Sequence, residues 1–228
     1  MYVKLLKYTE NPERVIALAA RLCYSKSKID DLENELSERY ARNLVKKIIS
    51  LGHYSVLEHV NFTFGIGGIS RVTSHQLVRH RIASYSQQSQ RYVDYKNLEV
   101  VIPPSIMEHR EALERFKEAI DTLEELYRWM IDKEIPVEDS RYILPNATTT
   151  SIIVTMNGRE LNHFFTLRCC RRAQWEIRVM AKKMLREVRG VAPTLFRASG
   201  PSCLEGPCSE GEFTCGKRDE VKVEFENL

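Results

Sequence analysis

The sequence lacks any long apolar segment. A membrane-spanning helix needs roughly 20 consecutive apolar residues, and no such run occurs among the 228 residues. The opening stretch, MYVKLLKYTENPERV, contains charged residues throughout and has no apolar centre like that of a secretory signal. We therefore expect neither a spanning helix nor a signal peptide, and we expect a cytoplasmic protein without a membrane partner.

The sequence also lacks a strong charge of one sign. Its 34 lysines and arginines are nearly balanced by 31 acidic residues, which leaves a formal net charge of +3 at pH 7. A nucleic-acid-binding protein usually has a basic face, and RNA-binding modules often add an aromatic stacking motif. The small charge does not predict such a face and no such motif is present, so we expect no nucleic-acid partner.

The pattern of apolar residues predicts helices and strands in mixed order. Strands are predicted for YVKLLKY, NFTFGIGG, LEVVIPP and TSIIVTMNG, the last of which ends in an Asn-Gly turn. One helix is predicted to start at Pro12, and others to span residues 32–50, 70–81, 105–132, 159–170 and 173–189. Because there is no regular βαβ alternation, this order indicates an α+β domain with a largely antiparallel sheet packed with several helices.

Two of the predicted helices have a clear apolar stripe. In the first helix the stripe comprises Val15, Ile16, Ala19, Leu22 and Cys23. In the long helix at 105–132 it comprises Leu113, Phe116, Ile120, Leu123, Tyr127 and Met130. Spacings of three and four residues place such side chains on one helix face. Both stripes are therefore predicted to be buried.

The most polar segment is RHRIASYSQQSQRY, which runs from Arg79 to Tyr92. A guanidinium group matches a phosphate through two parallel hydrogen bonds, and hydroxyl and amide side chains add neutral donors. Arg79 and Arg81 would point to one side from an extended chain and to nearly opposite sides from a helix. An extended chain therefore predicts one phosphate clamp, and a helix predicts contacts with two ligands or two subunits. A solvated polar loop is the alternative.

The wider pattern resembles that of the flavin-dependent thymidylate synthases. RHR is followed by seven residues and then Ser89, with Arg91 two residues further on, as in the signature of that family. GHYSVLEHVNFTF resembles the family segment that precedes the signature, and SRYILP, MNGREL and TLRCCRRAQWEIR resemble later blocks in the same order. The resemblance covers roughly residues 52–178 and is much weaker in the first fifty residues and in the tail.

The resemblance implies an enzyme that methylates dUMP to dTMP. In such enzymes the carbon comes from methylenetetrahydrofolate and the hydride comes from reduced FAD, which NADPH regenerates. The family is similar in fold to the α+β domain predicted above, and its members are homotetramers whose active sites form between subunits. The implied partners are dUMP, folate, NADPH and further copies of this chain.

Taken residue by residue, the resemblance implies two sets of ligand contacts. The positions that match nucleotide contacts are Gln76, Arg79, Gln87, Gln88, Ser89, Gln90, Arg91, Arg141 and Arg168. The positions that match flavin-side contacts are His53, Ser55, Glu58, Arg79, His80, Arg81, Gln87, Asn157, Arg159 and His163. His53 lies where the family brings folate against the flavin ring. Relatives often have an acidic residue at the Gln87 position and some have Asn at the His163 position, so these two positions depart from the family pattern.

The chemistry at C5 of the uracil ring is expected to proceed without a cysteine nucleophile. Only Cys169 and Cys170 lie in a nucleotide-binding block, and adjacent helical residues diverge by about 100°. Neither has a base beside it in the sequence, so we interpret both as packing residues. A permanently charged guanidinium can instead stabilise the uracil anion that pushes electron density to C5. Arg168 is therefore the predicted catalytic residue.

The same histidines and arginines allow other interpretations. His53 and His59 flank Glu58, but their spacing fits neither HExxH nor HxxEH, so we expect no metal there. Taken alone, Arg141 and Arg168 would be ordinary surface or ion-paired residues. A flavin-binding regulator without catalysis would need neither arginine, and an RNA-binding module would use the arginines on phosphates.

The tail GPSCLEGPCSEGEFTCGK is predicted to be an appendage. It has few apolar residues, so we expect that it cannot fold by burial alone. Cys203, Cys208 and Cys215 could bind zinc together with a fourth ligand, although their spacings are not the usual CxxC pairs; free thiols and a Cys203–Cys208 disulfide are the alternatives. We therefore predict a catalytic domain at 1–200 and a Cys- and Gly-rich appendage at 201–228.

Overall fold

The fold combines helices with one four-stranded sheet. The computed structural model describes residues 1–228. Its strands are β1 (Tyr2–Tyr8), β2 (Asn61–Ser70), β3 (Ala83–Gln87) and β4 (Thr149–Asn157). The strands are antiparallel, and neighbours in the sheet follow the order β1-β2-β4-β3. The predicted α+β class with an antiparallel sheet is thereby confirmed.

Helices make up most of the remaining structure. In chain order they are α1 (Pro12–Leu22), α2 (Ile29–Glu35), α3 (Glu38–Ser50), α4 (Arg71–Leu77), α5 (Pro104–Met107), α6 (Arg110–Asp132), α7 (Val137–Ser140), α8 (Gly158–Arg168), α9 (Trp175–Val191), α10 (Pro193–Phe196) and α11 (Arg218–Glu226). Even α6, the longest of them, is too polar to cross a membrane, and no other helix has the length and apolar character to do so.

The chain divides into two compact units. Unit 1 comprises residues 1–2, 66–79 and 86–153, and unit 2 comprises residues 3–65, 80–85 and 154–228. In unit 1 the centre of the core is formed by Tyr95, Leu98, Ile120 and Tyr127. Ile120 and Tyr127 belong to the apolar stripe predicted for the long helix, and Phe116 of the same stripe packs against this cluster. The structural role predicted for that helix is confirmed.

In unit 2 the helical core is formed by α1, α3 and the aromatic side chains of later elements. Ala17 packs with Leu36 and Ala41, while the Phe62, Phe164, Phe165 and Phe196 rings meet edge to face at centroid distances of 5.2 to 5.9 Å. The buried face of α1 comprises Ile16, Ala17 and Ala20. The predicted stripe was wrong at Leu22 and Cys23, which are exposed, because the helix ends there and its face is rotated.

Several predicted element boundaries differ from the structure. The helix predicted at 32–50 is two helices, because Ser37 starts α3 by accepting a hydrogen bond from the backbone N–H of Tyr40. The helix predicted at 70–81 stops at Leu77, and the long helix is preceded by the separate α5. LEVVIPP forms only one isolated bridge, between Val100 and Thr148, so the strand prediction there was wrong.

The tail is ordered in the structure by burial and ion pairs within unit 2. Val221 and Phe225 of α11 are buried, and Arg171 and Lys182 pair with Glu220 and Glu224. The apolar face of α11 follows the segment GPSCLEGPCSEGEFTCGK, within which Cys203 is buried. All six cysteines are free thiols, and no three His, Cys, Asp or Glu side chains form a group that could hold a metal.

Candidate active site

The junction between β4 and α8 positions several of the predicted flavin residues. Asn157 ends β4 and caps α8, because its Oδ1 accepts a hydrogen bond from the backbone N–H of Glu160 at 2.8 Å. A Cβ atom on Gly158 would lie 2.9 Å from the backbone oxygen of Leu57. This close approach of α8 to the 3₁₀ helix Tyr54–His59 therefore requires glycine. The Asn-Gly pair starts a helix, and the turn predicted from it was wrong.

A cavity of about 630 Å³ lies beside this junction in unit 2. It is lined by four of the predicted flavin residues, Glu58, Asn157, Arg159 and His163. Arg159 Nη1 donates a hydrogen bond to Glu58 Oε1 at 2.6 Å, so these two side chains fix one another. Apolar walls come from Ile49, Leu57, Ile82 and Leu195. A concave site with apolar walls and a few polar groups is typical of cofactor binding.

Other side chains in this cavity were not predicted from the sequence. Asn162 and Ser199 line it, and the Ser199 hydroxyl donates to Asn162 Oδ1. Glu205, a residue of the predicted appendage, lines it as well. No cysteine does. Asn162 lies in α8, one helical turn after Gly158, and this position could have identified it. Nothing in the sequence identifies Ser199 or Glu205.

The RHR segment lies after α4 and before β3, outside regular secondary structure. Arg79 and Arg81 are exposed, whereas His80 between them is only 5% exposed. The helix α4 ends at Leu77, so it does not run through the two arginines, and Arg79 lies in a turn. The tyrosine hydroxyl of Tyr85 donates to the backbone oxygen of His80 at 2.7 Å and fixes the chain at this point.

Three residues form a row of hydrogen bonds that has His80 at its centre. Its Nδ1 lies 3.0 Å from Glu160 Oε1, and its Nε2 accepts a hydrogen bond from Arg168 Nε at 3.1 Å. Glu160 is 7% exposed, and Arg168 is half-buried at the end of α8. The Phe164 ring packs edge-on against the His80 ring at a centroid distance of 5.0 Å. Glu160 was not predicted as a site residue.

The surroundings of His80 favour its neutral form. Burial lowers the pKa of His80 below its ordinary value, the hydrogen bond to Glu160 opposes this shift, and the charge of Arg168 adds to it. The neighbouring Cys169 is also buried, and burial raises the pKa of its thiol to about 12. A thiol with such a pKa is protonated at neutral pH and is a poor nucleophile.

In unit 1 several predicted nucleotide residues lie at the end of β3 and directly after it, and Gln76 lies in α4. Gln87 is half-buried, and its amide donates to Ser74 Oγ at 2.9 Å and to Thr150 Oγ1 at 3.3 Å. The Ser89 hydroxyl accepts a hydrogen bond from the backbone N–H of Arg91 at 3.1 Å. Gln88 is exposed, and Gln90 and Gln76 are half-buried. Ser89 therefore stabilises a local turn and has no base bonded to it.

Two predicted nucleotide residues of unit 1 meet at one glutamate. Arg91 pairs with the carboxylate of Glu138 at 2.8 Å, with both side chains about half exposed, and Arg141 Nε donates to the backbone oxygen of Glu138 at 3.0 Å. Arg71, which was not predicted, is close enough to Arg141 for that charge to lower its pKa, although burial is the larger cause. This group of guanidinium side chains is a candidate phosphate site.

The remaining predicted residues lie at the surface. His53 and Ser55 are exposed at the start of the 3₁₀ helix that also contains Glu58. Gly52, with a φ of +73°, ends α3 directly before them. Of these three predicted residues, only Glu58 lines the cavity. The structure therefore brings together part of the predicted flavin set. The members outside the cavity lining are His53, Ser55, Arg79, His80, Arg81 and Gln87.

Comparisons with known proteins were consistent along nearly the whole chain. Residues 4–194 match the model of the family described as thymidylate synthase complementing protein. The chain is 56% identical to the flavin-dependent thymidylate synthase of Geobacter sulfurreducens, over 100% of this chain and 99% of that protein. It is 50% identical to the enzyme of the same name from Clostridium tetani, over 96% of this chain and 95% of that protein.

A solved structure has the same fold. The crystal structure of a UMP/dUMP methylase PolB from Streptomyces cacaoi, bound with 5-Br dUMP, matches with a TM-score of 0.72. The two sequences are 23% identical, and the match covers 86% of this chain and 93% of that one. At this level of identity the likeness concerns the fold.

Proposed function

Because the chain belongs to the thymidylate synthase complementing protein family, that of the flavin-dependent thymidylate synthases, we propose that it methylates dUMP to dTMP. Methylenetetrahydrofolate is the proposed carbon donor, and NADPH is the proposed source of reducing equivalents for a bound FAD. The observation that best supports this proposal is the cavity in which Glu58, Asn157, Arg159 and His163 come together.

The residues of this cavity fit a flavin ring system. Its apolar walls suit a flat, largely apolar heterocycle, and Asn157, Arg159 and His163 offer donors for its carbonyl and nitrogen edge. When bound in reduced form, FAD supplies the hydride needed to complete the methyl group. The protein then orients the reactants and excludes water. For His53, Ser55, Arg79, His80, Arg81 and Gln87, a flavin contact remains part of the proposal.

The nucleotide is assigned to the arginines of unit 1 and their polar neighbours. Arg79, Arg91 and Arg141 are proposed to bind the dUMP phosphate, because the guanidinium fork pairs with phosphate oxygens through parallel bonds. The amides of Gln76, Gln87, Gln88 and Gln90 and the hydroxyl of Ser89 are proposed as neutral donors to the same ligand. Ser89 would position dUMP and would not attack it, since no general base is bonded to its hydroxyl.

Arg168 is proposed to activate the uracil ring. Its guanidinium stays charged at all relevant pH values, and beside N3 and a ring carbonyl it would stabilise negative charge on the ring and so enrich C5 in electrons. Attack by a thiolate is the alternative used by other enzymes. The high pKa of Cys169 favours the arginine.

The assembly and the organisation of the chain complete the proposal. We propose a homotetramer whose active sites form between subunits, in which residues 1–200 provide the catalytic domain. His53, exposed at the start of its 3₁₀ helix, is the residue assigned to folate. The role of the 201–228 segment is proposed to be structural, with Glu205 as its one residue at the cavity.

The flavin assignment can be tested by measuring bound flavin in variants of the cavity. Replacing Arg159 with alanine removes the group that fixes Glu58, and replacing His163 with alanine removes a donor. We expect both variants to lose most of the yellow flavin absorbance on purification. Arg172→Ala, a change at an exposed arginine outside the cavity, is the control and should retain it. Full flavin content in both cavity variants would contradict the assignment.

A further inference from the structure

The buried glutamate Glu160 has no role in the function proposed above. It is 7% exposed, and burying a carboxylate is costly unless a partner compensates its charge. The partner of its Oε1 is His80 Nδ1, at 3.0 Å, and not an arginine or lysine. The compensating cation, Arg168, is bonded to the other side of the same imidazole ring.

The hydrogen bonds determine where the imidazole proton is. A guanidinium group donates and cannot accept, so His80 Nε2 must be unprotonated to receive the bond from Arg168 Nε. A neutral imidazole has one N–H, which must then be at Nδ1, and this N–H donates to Glu160 Oε1. Glu160 and Arg168 therefore favour the same tautomer, in which the lone pair of Nε2 faces Arg168.

We propose that Glu160 is a positioning residue that acts through His80 to orient the guanidinium of Arg168. The carboxylate holds the imidazole in the Nδ1–H tautomer, and the imidazole holds Nε of the guanidinium. Carboxylates orient histidines in this way where the second ring nitrogen must act as an acceptor. Both ring nitrogens of His80 are hydrogen-bonded, and the ring is packed against Phe164, so His80 is held in the position that orients Arg168.

The proton position can be measured on the flavin-bound wild-type protein. Nitrogen-15-labelled histidine distinguishes the two tautomers and the imidazolium by NMR, and the His80 signals are identified by their loss in His80→Asn. We expect protonated Nδ1 and unprotonated Nε2 from about pH 6 to pH 8. A proton on Nε2 at pH 7, in either the other tautomer or the imidazolium, would overturn the proposal.

A kinetic experiment tests whether the orientation matters. In Glu160→Gln the amide can accept from or donate to Nδ1, so only the bond from Arg168 still favours the Nδ1–H tautomer. We expect kcat to fall by roughly tenfold or more, with KM for dUMP and flavin content changed less than about threefold, and with both tautomers visible by NMR. Glu160→Asp, which keeps the charge, should recover part of kcat and restore the single tautomer.

A second buried glutamate provides the matched control. Glu13 is 9% exposed, and its Oε1 accepts hydrogen bonds from the backbone N–H groups of Thr194 and Leu195. Glu13→Gln should lower Tm but leave kcat near the wild-type value. Equal losses of kcat in Glu160→Gln and Glu13→Gln would show a merely structural role. The kinetic readout rests on the proposed function, whereas the NMR readout does not, so a failure of one is distinguishable from a failure of the other.

Discussion

The arginines of the two units are held in different ways. In unit 2 the guanidinium of Arg168 is half-buried and bonded to His80, which is bonded in turn to the buried Glu160. In unit 1 Arg91 and Arg141 meet at Glu138, and the Arg91–Glu138 pair is about half exposed. Exposed ion pairs contribute only about 0–1 kcal/mol to stability, so their partners can be exchanged for a ligand at little cost.

This difference indicates a division of labour. A group that must stabilise charge in a transition state is most effective when its position is fixed in advance. The hydrogen bonds that link Glu160, His80 and Arg168 fix the guanidinium of Arg168 in this way. A group that binds the phosphate of a substrate must release it afterwards, and exposed arginines with a weak partner suit that task. The comparison therefore predicts catalytic effects for changes in the first set and binding effects for changes in the second.

The largest effect is expected at Arg168. Arg168→Ala should lower kcat by roughly 100- to 1,000-fold, the range found for loss of a donor that stabilises transition-state charge. Arg168→Lys should not restore it, because an ammonium group keeps the charge but lacks the planar fork that can bond His80 through one nitrogen and a ligand through the others. Steady-state dTMP formation measures both variants, with the exposed Arg172→Lys as control. Near-normal turnover of Arg168→Lys would remove Arg168 from the activating role.

A smaller effect, on binding, is expected for the arginines of unit 1. Arg91→Ala and Arg141→Ala should each raise KM for dUMP by roughly 10- to 100-fold, because each removes a charged hydrogen bond worth about 1.5–3 kcal/mol. kcat at saturating dUMP should change less than KM. For the exposed Arg91 the free energy of unfolding should change by less than about 0.5 kcal/mol, as is usual for surface positions. The division of labour fails if these variants lose kcat and keep KM.

Sequence patterns predicted the order of the elements better than their ends. Apolar spacing identified α6 and its buried face, because Phe116, Ile120 and Tyr127 repeat at helical intervals. The break between α2 and α3 was missed, since Ser37 interrupts a helical pattern by capping the second helix. The turn predicted at Asn157 and Gly158 was wrong for a related reason. An Asn-Gly pair suits a turn, but here Asn157 caps α8 and Gly158 allows a close contact.

The sequence identified only some of the residues of the candidate site. Motif resemblance identified Glu58, Asn157, Arg159 and His163, which the fold brings to one cavity. Glu160 follows Arg159 directly and was still missed, because its significance depends on its burial and on His80, which is 80 residues away in the chain. Tertiary contacts of this kind leave no local pattern in one sequence.

The buried histidine that is bonded to Arg168 should make the stability of the protein depend on pH. Burial holds the pKa of His80 below its ordinary value, with Arg168 and His163 adding to that shift and Glu160 opposing it. Because the folded protein binds the proton more weakly than the unfolded chain, its stability is unaffected at high pH and decreases as pH falls below about 6.5. Denaturant unfolding from pH 8 to pH 5 should show this loss in wild type and a smaller one in His80→Asn. Equal slopes would contradict it.

The smallest effect is expected in the tail. Changing Cys203, Cys208 and Cys215 together to serine should leave flavin bound and dTMP formation largely intact, because none of the three lines the cavity. Cys203 is buried, so a modest loss of Tm is expected from placing a hydroxyl there. Loss of turnover with flavin content and assembly unchanged would place the cysteines in the active site.

The most direct test of the proposed function is dTMP formation in protein from which the flavin has been removed. The assay contains dUMP, methylenetetrahydrofolate and NADPH, and dTMP is quantified before and after FAD is added back. We predict that turnover disappears with the flavin and returns with it, in proportion to the FAD that is bound. Undiminished dTMP formation by flavin-free protein would contradict the account.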